Sequence, residues 1–352
     1  MAKAVIAGVE RTVHYLAVSF PYSNMRYVAA LPGETTECVC HGLLQVFGRM
    51  GMVPRALVFD NATGVGHCNA DGTVTQTRLF SLFSAHYGCR DQVSATRMRA
   101  TRRAASRTRS GSCDGDLMVP EPAAEGWDAL TRAWLDECDE IARREHYRQA
   151  VPIRDLFETD LDHMLPLPGT PFDACDWRSV KTDRTGTVLI DGNRYLAGPR
   201  WRSMRLRAGV RALDVELRAP DGEHIVTLER VWGHEPRTVM EPATLLAVIA
   251  RKPRMWGESP IRGDFPENVR DLLDRMGGRA RADLVDDIRH VSSTSGFAAA
   301  AKAVSAIIDA GRRLDRASID QTARRIRQGG EDTAPGPDLS RYNTYMEERG
   351  DD

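Results

Sequence analysis

The 352-residue chain has no apolar run long enough to span a bilayer, no CxxC pair, no internal repeat and almost no net charge. The first absence excludes a transmembrane helix, which needs about 20 consecutive apolar residues. The opening Met1-Ala-Lys-Ala-Val lacks the apolar stretch of a secretory signal, so a cytoplasmic location and no membrane partner are expected. The seven cysteines, Cys38, Cys40, Cys68, Cys89, Cys113, Cys138 and Cys175, keep no framework spacing, which argues against a disulfide scaffold and the common zinc modules. Cys40-His41 and His67-Cys68 are fragments of a metal-ligand pattern, but reduced, packed thiols are the expectation for isolated cysteines. With a net charge of -1, the distribution of charge is informative and its sum is not. What is present, 42% hydrophobic and 28% charged residues, is ordinary for a globular chain with room for two or three domains.

The first stretch reads as β. Residues 13–20 (VHYLAVSF) are rich in β-branched and aromatic types. Pro21-Tyr-Ser-Asn24 has turn chemistry, and 26–31 (RYVAAL) reads as a second strand, making 13–31 a hairpin. Val39, Leu43, Leu44, Val46 and Phe47 recur at helical spacing across 36–50, and Gly51 stands where a C-cap glycine belongs. Residues 55–60 read as a short buried strand with Asp60 at its C-terminal end, followed by a helix over 79–87. This order predicts an α/β sheet with packed helices, and strand C-termini are where such sheets place chemistry.

Residues 90–116 break the pattern. From Arg90 to Arg109 there are seven arginines and one acid, Asp91, with Val93 and Met98 the only large apolar residues. No period survives, so irregular backbone is expected. Taken alone, the run is equally a nucleic-acid arm or a solvated segment.

Trp127, Leu130, Trp134, Leu135, Cys138 and Ile141 then mark a helix over about 125–143, and Leu165-Pro-Leu-Pro168 marks a boundary. Strands 187–190 and 194–197 flank Asp191-Gly192-Asn193, and strands 213–217 and 225–228 flank Pro220-Asp-Gly222, two hairpin signals that suggest a small barrel. Between Arg178 and Arg218 ten Lys/Arg face four Asp/Glu. Helices are expected at 242–252, 268–276, 281–291, 297–310 and 318–328, with a disordered tail after Gly330.

Several of these stretches resemble IstA-type transposases of the insertion sequence twenty-one family. They are Val13-His-Tyr-Leu-Ala-Val-Ser-Phe-Pro-Tyr-Ser-Asn24, Arg26-Tyr-Val-Ala-Ala-Leu-Pro-Gly33, Leu57-Val-Phe-Asp-Asn-Ala-Thr-Gly64, His146-Tyr-Arg, Asp191-Gly-Asn-Arg-Tyr-Leu-Ala-Gly-Pro199 and Trp256-Gly-Glu-Ser-Pro-Ile-Arg262. The motifs fall in family order and cover nearly all the chain except 90–116. The resemblance implies an α/β integrase core of ribonuclease-H type, incomplete here (1–116), a helical linker (117–164), a small all-β barrel contacting DNA (165–235), a helical region (236–330) and a tail (331–352). It also implies DNA as substrate, a helper ATPase as partner, a homo-oligomer as an open alternative, and an Asp-Asp-Glu triad holding two Mg2+ ions that activate the attacking oxygen and stabilise the leaving one. Asp60 matches the second Asp of that triad and its metal ligand. Read locally, the same Asp simply caps a turn. The strand that carries the first Asp falls before the residues matching Met1, so the start is expected to be internal or late, with the hairpin edges left open.

The Glu has a different fate. When codons 94–115 are read one frame over, with degenerate bases free, they allow a segment containing Asn-Pro-Tyr, Lys-Gly and Val-Glu-Asn, as in the family stretch that bears the Glu. Its position straddles Ser106 and Arg107, while Glu121 and Glu125 lie past it and do not match. Two compensating frameshifts, near 90–93 and near Gly115–Asp116, are inferred. The arginine run is then a product of the shifted frame that still attracts polyanions. Arg194, Arg200, Arg202, Arg205 and Arg207 are the expected DNA contacts of the basic barrel. Three readings follow: a degenerate transposase without strand transfer; a non-catalytic DNA- or partner-binding regulator of an intact transposase; and a nuclease completed by other carboxylates. The frameshift reading predicts that sequencing the gene finds the Asn-Pro-Tyr to Val-Glu-Asn segment open in the adjacent frame across codons 94–115. A nucleotide sequence that cannot encode it there removes the explanation for the missing Glu.

Overall fold

A two-residue turn opens the fold. Ala7 and Gly8 both take left-handed conformations, φ 48° and 79°, the geometry that joins antiparallel strands with their natural twist. They link β1 (Ala2–Ile6) to β2 (Val9–Ser19), which pair from Ile6 with Val9 to Ala2 with Val13. The second half of β2 pairs with β3 (Arg26–Leu31), from Ser19 with Arg26 to His14 with Leu31. The computed structural model describes residues 2–59, 64–68, 74–93, 117, 121–233 and 235–328. Two compact units divide the chain: 1–181 with 189–193 and 205–237, and 182–188 with 194–204 and 238–352.

In the first unit, every residue of β3 after Arg26 is buried. The reason is helices on two sides. One is α1 (Thr36–Met50), closed by Gly51 at φ 68° with its amide on the Phe47 carbonyl. The other is α3 (Trp127–Ile141), which follows β9 (Ala123–Ala124). Thr131 of α3 is buried, and its hydroxyl both accepts from the Ala30 amide at 3.0 Å and donates to the Ala30 carbonyl at 3.3 Å. It stands in for a neighbouring strand and blunts that edge. At the other side β9 runs parallel to β1, giving the order β3-β2-β1-β9. The expected open hairpin edge is therefore not found: residues 2–6 lie beside β2.

After β4 (Met52–Val53), β5 (Ala56–Phe59) pairs in parallel with β8 (Arg90–Val93). Two expectations are corrected here. Residues 90–93 form a strand, because each pairs in register with β5, from Ala56 with Arg90 to Phe59 with Val93. And β5 is not buried throughout: Leu57 is buried but Val58 is 68% exposed, since β8 is its sole strand neighbour among the described residues. The irregularity expected for 94–116 and for the tail after Gly330 lies outside the described residues. Between β5 and β8 come the hairpin β6 (Gly66–Cys68) and β7 (Val74–Gln76), then α2 (Arg78–Tyr87), whose N-cap Thr77 accepts from the Phe80 amide. Phe47, Phe80, Phe83 and Tyr87 stack with ring centroids 4.9–6.0 Å apart, filling the core between α1 and α2. Helix α4 (Ile153–Leu161) contributes Phe157 to the core on the Trp134 side. The short β10 (Leu165–Pro166) pairs with β4.

The first unit also holds an antiparallel sheet of order β11-β14-β15-β16: β11 (Asp176–Lys181), β14 (Arg205–Val210), β15 (Asp214–Arg218) and β16 (His224–Glu229). Alternation puts Leu206, Ala208, Val210, Val215, Leu217, Val226 and Leu228 inside.

The hairpin β12 (Thr187–Ile190) and β13 (Asn193–Leu196) turns at Asp191 and Gly192, both at positive φ, 48° and 82°. Its tip is counted with the first unit and its open ends with the second. In the second unit β17 (Thr238–Val239) runs parallel to β13. Among the described residues five α-helices follow, α5 (Pro242–Arg251), α6 (Glu267–Arg275), α7 (Gly278–Ser295), α8 (Phe297–Asp309) and α9 (Arg316–Arg327), over a core that includes Leu246, Trp256, Ile288, Val304 and Ile319. Among the described residues no helix is long and apolar enough to cross a membrane.

Because Thr131 satisfies both backbone groups of Ala30, Thr131→Val, which keeps the shape and removes the hydroxyl, is expected to destabilise the first unit by about 1–3 kcal/mol. Urea unfolding followed by tryptophan fluorescence measures it. An unchanged midpoint would mean that water or another group takes over the two bonds.

Candidate functional site

Asp60 lies outside the described residues, together with 61–63, but the elements around the end of β5 are described. Phe59 rests edge-on against Phe80, with centroids 5.3 Å apart. The chain returns at Gly64, φ 86°, where a Cβ would meet the Glu34 carbonyl oxygen at 2.7 Å and Val39 at 2.8 Å. A glycine is needed for that passage on both counts, conformation and space. It brings the chain against the first turn of α1. The first turn of α2 is also close, with the Thr36 and Thr77 hydroxyls 3.2 Å apart.

A cavity of about 550 Å3 opens here, lined among others by Glu34, Glu37, Arg78, Arg178, Asp191 and Arg230. Its floor is an ion network. The Arg230 side chain is 3% exposed and that of Glu37 6%. Arg230 lies 3.7 Å from Glu37, donates to Asp191 at 2.8 Å and to the Arg211 carbonyl at 2.7 Å, and stacks on Trp232 at 4.1 Å. Arg178 donates to Asp176 at 2.6 Å, to Asp191 at 2.8 Å and to Glu37 at 3.4 Å. Trp232 lies across Gly33, where a Cβ would meet its ring at 2.3 Å, and its indole donates to the Ala212 carbonyl at 3.0 Å.

The chemistry of this donor set does not fit a divalent ion. Glu37, Asp176 and Asp191 already accept from guanidinium groups, and Glu34 faces His14 Nδ1 at 3.0 Å. Among the described residues no three His, Cys, Asp or Glu side chains converge to hold a metal. Cys40 is fully buried, and burial pushes its thiol pKa far up. Burial likewise pushes Cys38 up to about 11 and Cys175 up to about 12. His41 faces Asp128 at 2.8 Å, and that contact lowers the Asp128 pKa. The side chains of His67 and Cys68 lie outside the described residues.

The five arginines expected to contact DNA fall into two groups. Arg205 and Arg207 are exposed on β14 in the first unit, while Arg194, Arg200 and Arg202 belong to the second, where Arg200 stacks on Trp201 at 4.8 Å. Sequence reasoning missed the neighbours that β14 brings to Arg205 and Arg207, namely Trp177 and Lys181 from β11 and Arg218 from β15. The signal was the alternation of Trp177, Ser179 and Lys181 along one face of β11.

No protein-family model matches the chain. One stretch of 88 residues is 28% identical to a transposase for insertion sequence element IS5376 of Geobacillus stearothermophilus. It makes up 25% of this chain and 22% of that protein, so the match spans about a fifth of the relative's length. Among solved structures, the chain aligns with a simian T-cell lymphotropic virus intasome in complex with a PP2A regulatory subunit. That alignment has a TM-score of 0.32 and 13% identity, over 66% of this chain and 77% of the other. A score at that level assigns no fold.

The ion network predicts a stability effect of definite sign. Glu37→Ala leaves the Arg230 guanidinium buried with Asp191 as its remaining carboxylate, and is expected to cost about 3–5 kcal/mol. The midpoint of urea unfolding should fall with little change in slope. Glu37→Gln keeps an acceptor and should lose less. If both variants unfold with the parent, the network contributes nothing to stability.

Proposed function

We propose that the chain is a degenerate transposase of the IstA type, which handles DNA without strand-transfer activity. The observation that carries this reading is the 88-residue likeness to an insertion-sequence transposase. Two features of the fold support it. The first unit carries the antiparallel hairpin β2-β3, then α1, then β5, which ends one residue before Asp60, in keeping with the order that the resemblance implies after the strand of the first Asp. And the antiparallel sheet β11-β14-β15-β16 carries Lys181, Arg205 and Arg207 exposed on one face, in keeping with the basic DNA-contacting region that the resemblance implies.

Inactivity follows from chemistry. Two-metal strand transfer needs several carboxylates to hold both ions and align the attacking oxygen. In the resemblance Asp60 is one of them. The position of the Glu falls at Ser106 and Arg107, a hydroxyl and a cation, which cannot replace a carboxylate ligand. Mg2+ would supply the activation of the attacking oxygen in an intact relative. In this chain the residues left to act are the arginines, which hold phosphate by charge and by paired N–H donors. The helper ATPase and self-association belong to the same proposal, as partners carried over with the family.

The test is a strand-transfer and 3′-processing assay of the full chain with Mg2+ or Mn2+, run beside a DNA-binding titration. No cut or joined product is expected, while binding falls steeply as salt rises. Replacing Arg205 and Arg207 by Ala should weaken binding and flatten the salt slope. Robust joining that disappears in Asp60→Asn overturns the inactivity, and absence of DNA binding at low salt overturns the reading as a whole.

A further inference from the structure

The outer face of the sheet β11-β14-β15-β16 carries an arrangement that folding alone disfavours. Register places Lys181 opposite Arg205, Ser179 opposite Arg207, Arg207 opposite Arg218, and Arg218 opposite His224. Like charges directly across adjacent strands destabilise a sheet. Here they recur on neighbouring strands, across a sheet whose other face is buried. Lys181, Arg205 and Arg207 have no carboxylate within ion-pair distance among the described residues. Arg218 does have one, Glu216 at 2.5 Å. Burial raises the pKa of Glu216, and its bonds to Arg218 and Arg211 more than offset this, leaving it below the ordinary carboxylate value.

The next row of the same face runs Trp177, Gly209, Glu216 and Thr227. Gly209 is what lets the indole lie against the sheet: a Cβ there would meet the Trp177 ring at 3.0 Å and Cys175 Sγ at 2.7 Å. The ring stays 37% exposed, among the exposed large hydrophobics of the chain. The guanidinium groups of Arg207 and Arg218 sit 5.0 and 5.5 Å from its centroid. A part-exposed indole with two guanidinium groups over its ring, beside the positive charges of Lys181 and Arg205, is complementary to a ligand that joins a flat π-system to a run of anions.

We infer that this face binds single-stranded DNA, with Trp177 stacking on an unpaired base and Lys181, Arg205, Arg207 and Arg218 holding the phosphates on either side. The inference rests on the DNA-handling reading and adds the form of DNA. A four-stranded face, at about 4.8 Å per strand spacing, is too broad to enter a major groove about 12 Å wide. In a duplex the faces of the bases are covered by their neighbours, so an indole in a sheet surface has nothing to stack on. In a single strand both are available, and stacking on an aromatic ring is the sequence-tolerant way to hold one.

The experiment uses the full chain, a fluorescein-labelled dT oligonucleotide and a duplex of equal length, titrated by anisotropy. Trp177→Ala should weaken dT binding roughly 5- to 100-fold and leave duplex binding nearly unchanged. Arg207→Ala should weaken dT binding and flatten its salt dependence. A second readout does not depend on the alanine variant folding: dT should quench tryptophan fluorescence in the parent, and Trp177→Phe should lose that quench while still binding. Equal losses on both DNAs in Trp177→Ala, or an undiminished quench in Trp177→Phe, overturn the inference. Duplex binding without dT binding in the parent overturns it too, yet leaves the DNA-handling reading standing. A parent that binds neither removes both.

Discussion

A guanidinium as enclosed as that of Arg230 must find its partners inside the protein, because burial takes it out of bulk water. Its partners come from distant parts of the chain: Glu37 from the first turn of α1, Asp191 from a hairpin tip, the Arg211 carbonyl from the turn after β14, and the face of Trp232. Arg178 of β11 closes the set by sharing both Glu37 and Asp191. The sheet β11-β14-β15-β16 cannot turn against α1 without stranding a buried charge. Gly33 and Gly64 serve the same end: Gly33 lets the Trp232 ring lie against the chain just before α1, and Gly64 lets its own backbone approach Glu34 and Val39. A buried ion network of this kind is weak as a source of net stability and strict about geometry. That strictness fixes which face of the sheet turns inward.

The fixed orientation decides what the arginines can do. Arg178, Arg211 and Arg230 are spent on carboxylates and carbonyls within the first unit. Arg205 and Arg207, four and two residues before Gly209, alternate outward with Lys181 and Trp177 beside them. The local charge excess between Arg178 and Arg218 therefore overstates some positions and omits the organisation of others. The residues with unpaired charge are those that a strand's period of two sends to the free face.

Much of this architecture was legible in the sequence. Helix α1 and strand β3 have the bounds their patterns predict, because α1 shows helical spacing ending at Gly51 and β3 is a pure β run between turn residues. The hairpin at Asp191-Gly192 needed positive φ at both turn residues, and the sequence supplied residue types that accept it. Strand β11 was hidden for a physical reason. Its inward positions are Asp176, Arg178 and Val180, and two of the three are polar because they face the ion network. β14 does alternate, but its arginines drew attention to charge and away from Leu206, Ala208 and Val210. Helix α4 buries only Ile153, Leu156 and Phe157, too little periodicity to stand out. At the candidate site, Asp60 was singled out by resemblance and by its strand-end position, while Trp177 and Arg218 join Arg207 only through pairing across three strands, which no local pattern encodes.

The contrast between the two arginine-rich parts of the chain bears on what an excess of charge means. In 90–109 seven arginines come with two large apolar residues, Val93 and Met98, and attraction for a polyanion is what that composition offers. In β14 the arginines alternate with buried aliphatics, so burial of Leu206, Ala208 and Val210 is what spaces Arg205 and Arg207 and aims them outward. Stacking on Trp177 then restricts the Arg207 side chain further, lowering the ordering entropy lost when it meets a ligand. Charge held by a core in this way discriminates between shapes of anion. Under the proposed reading, that is the property a transposase-derived chain keeps without the Glu of the triad.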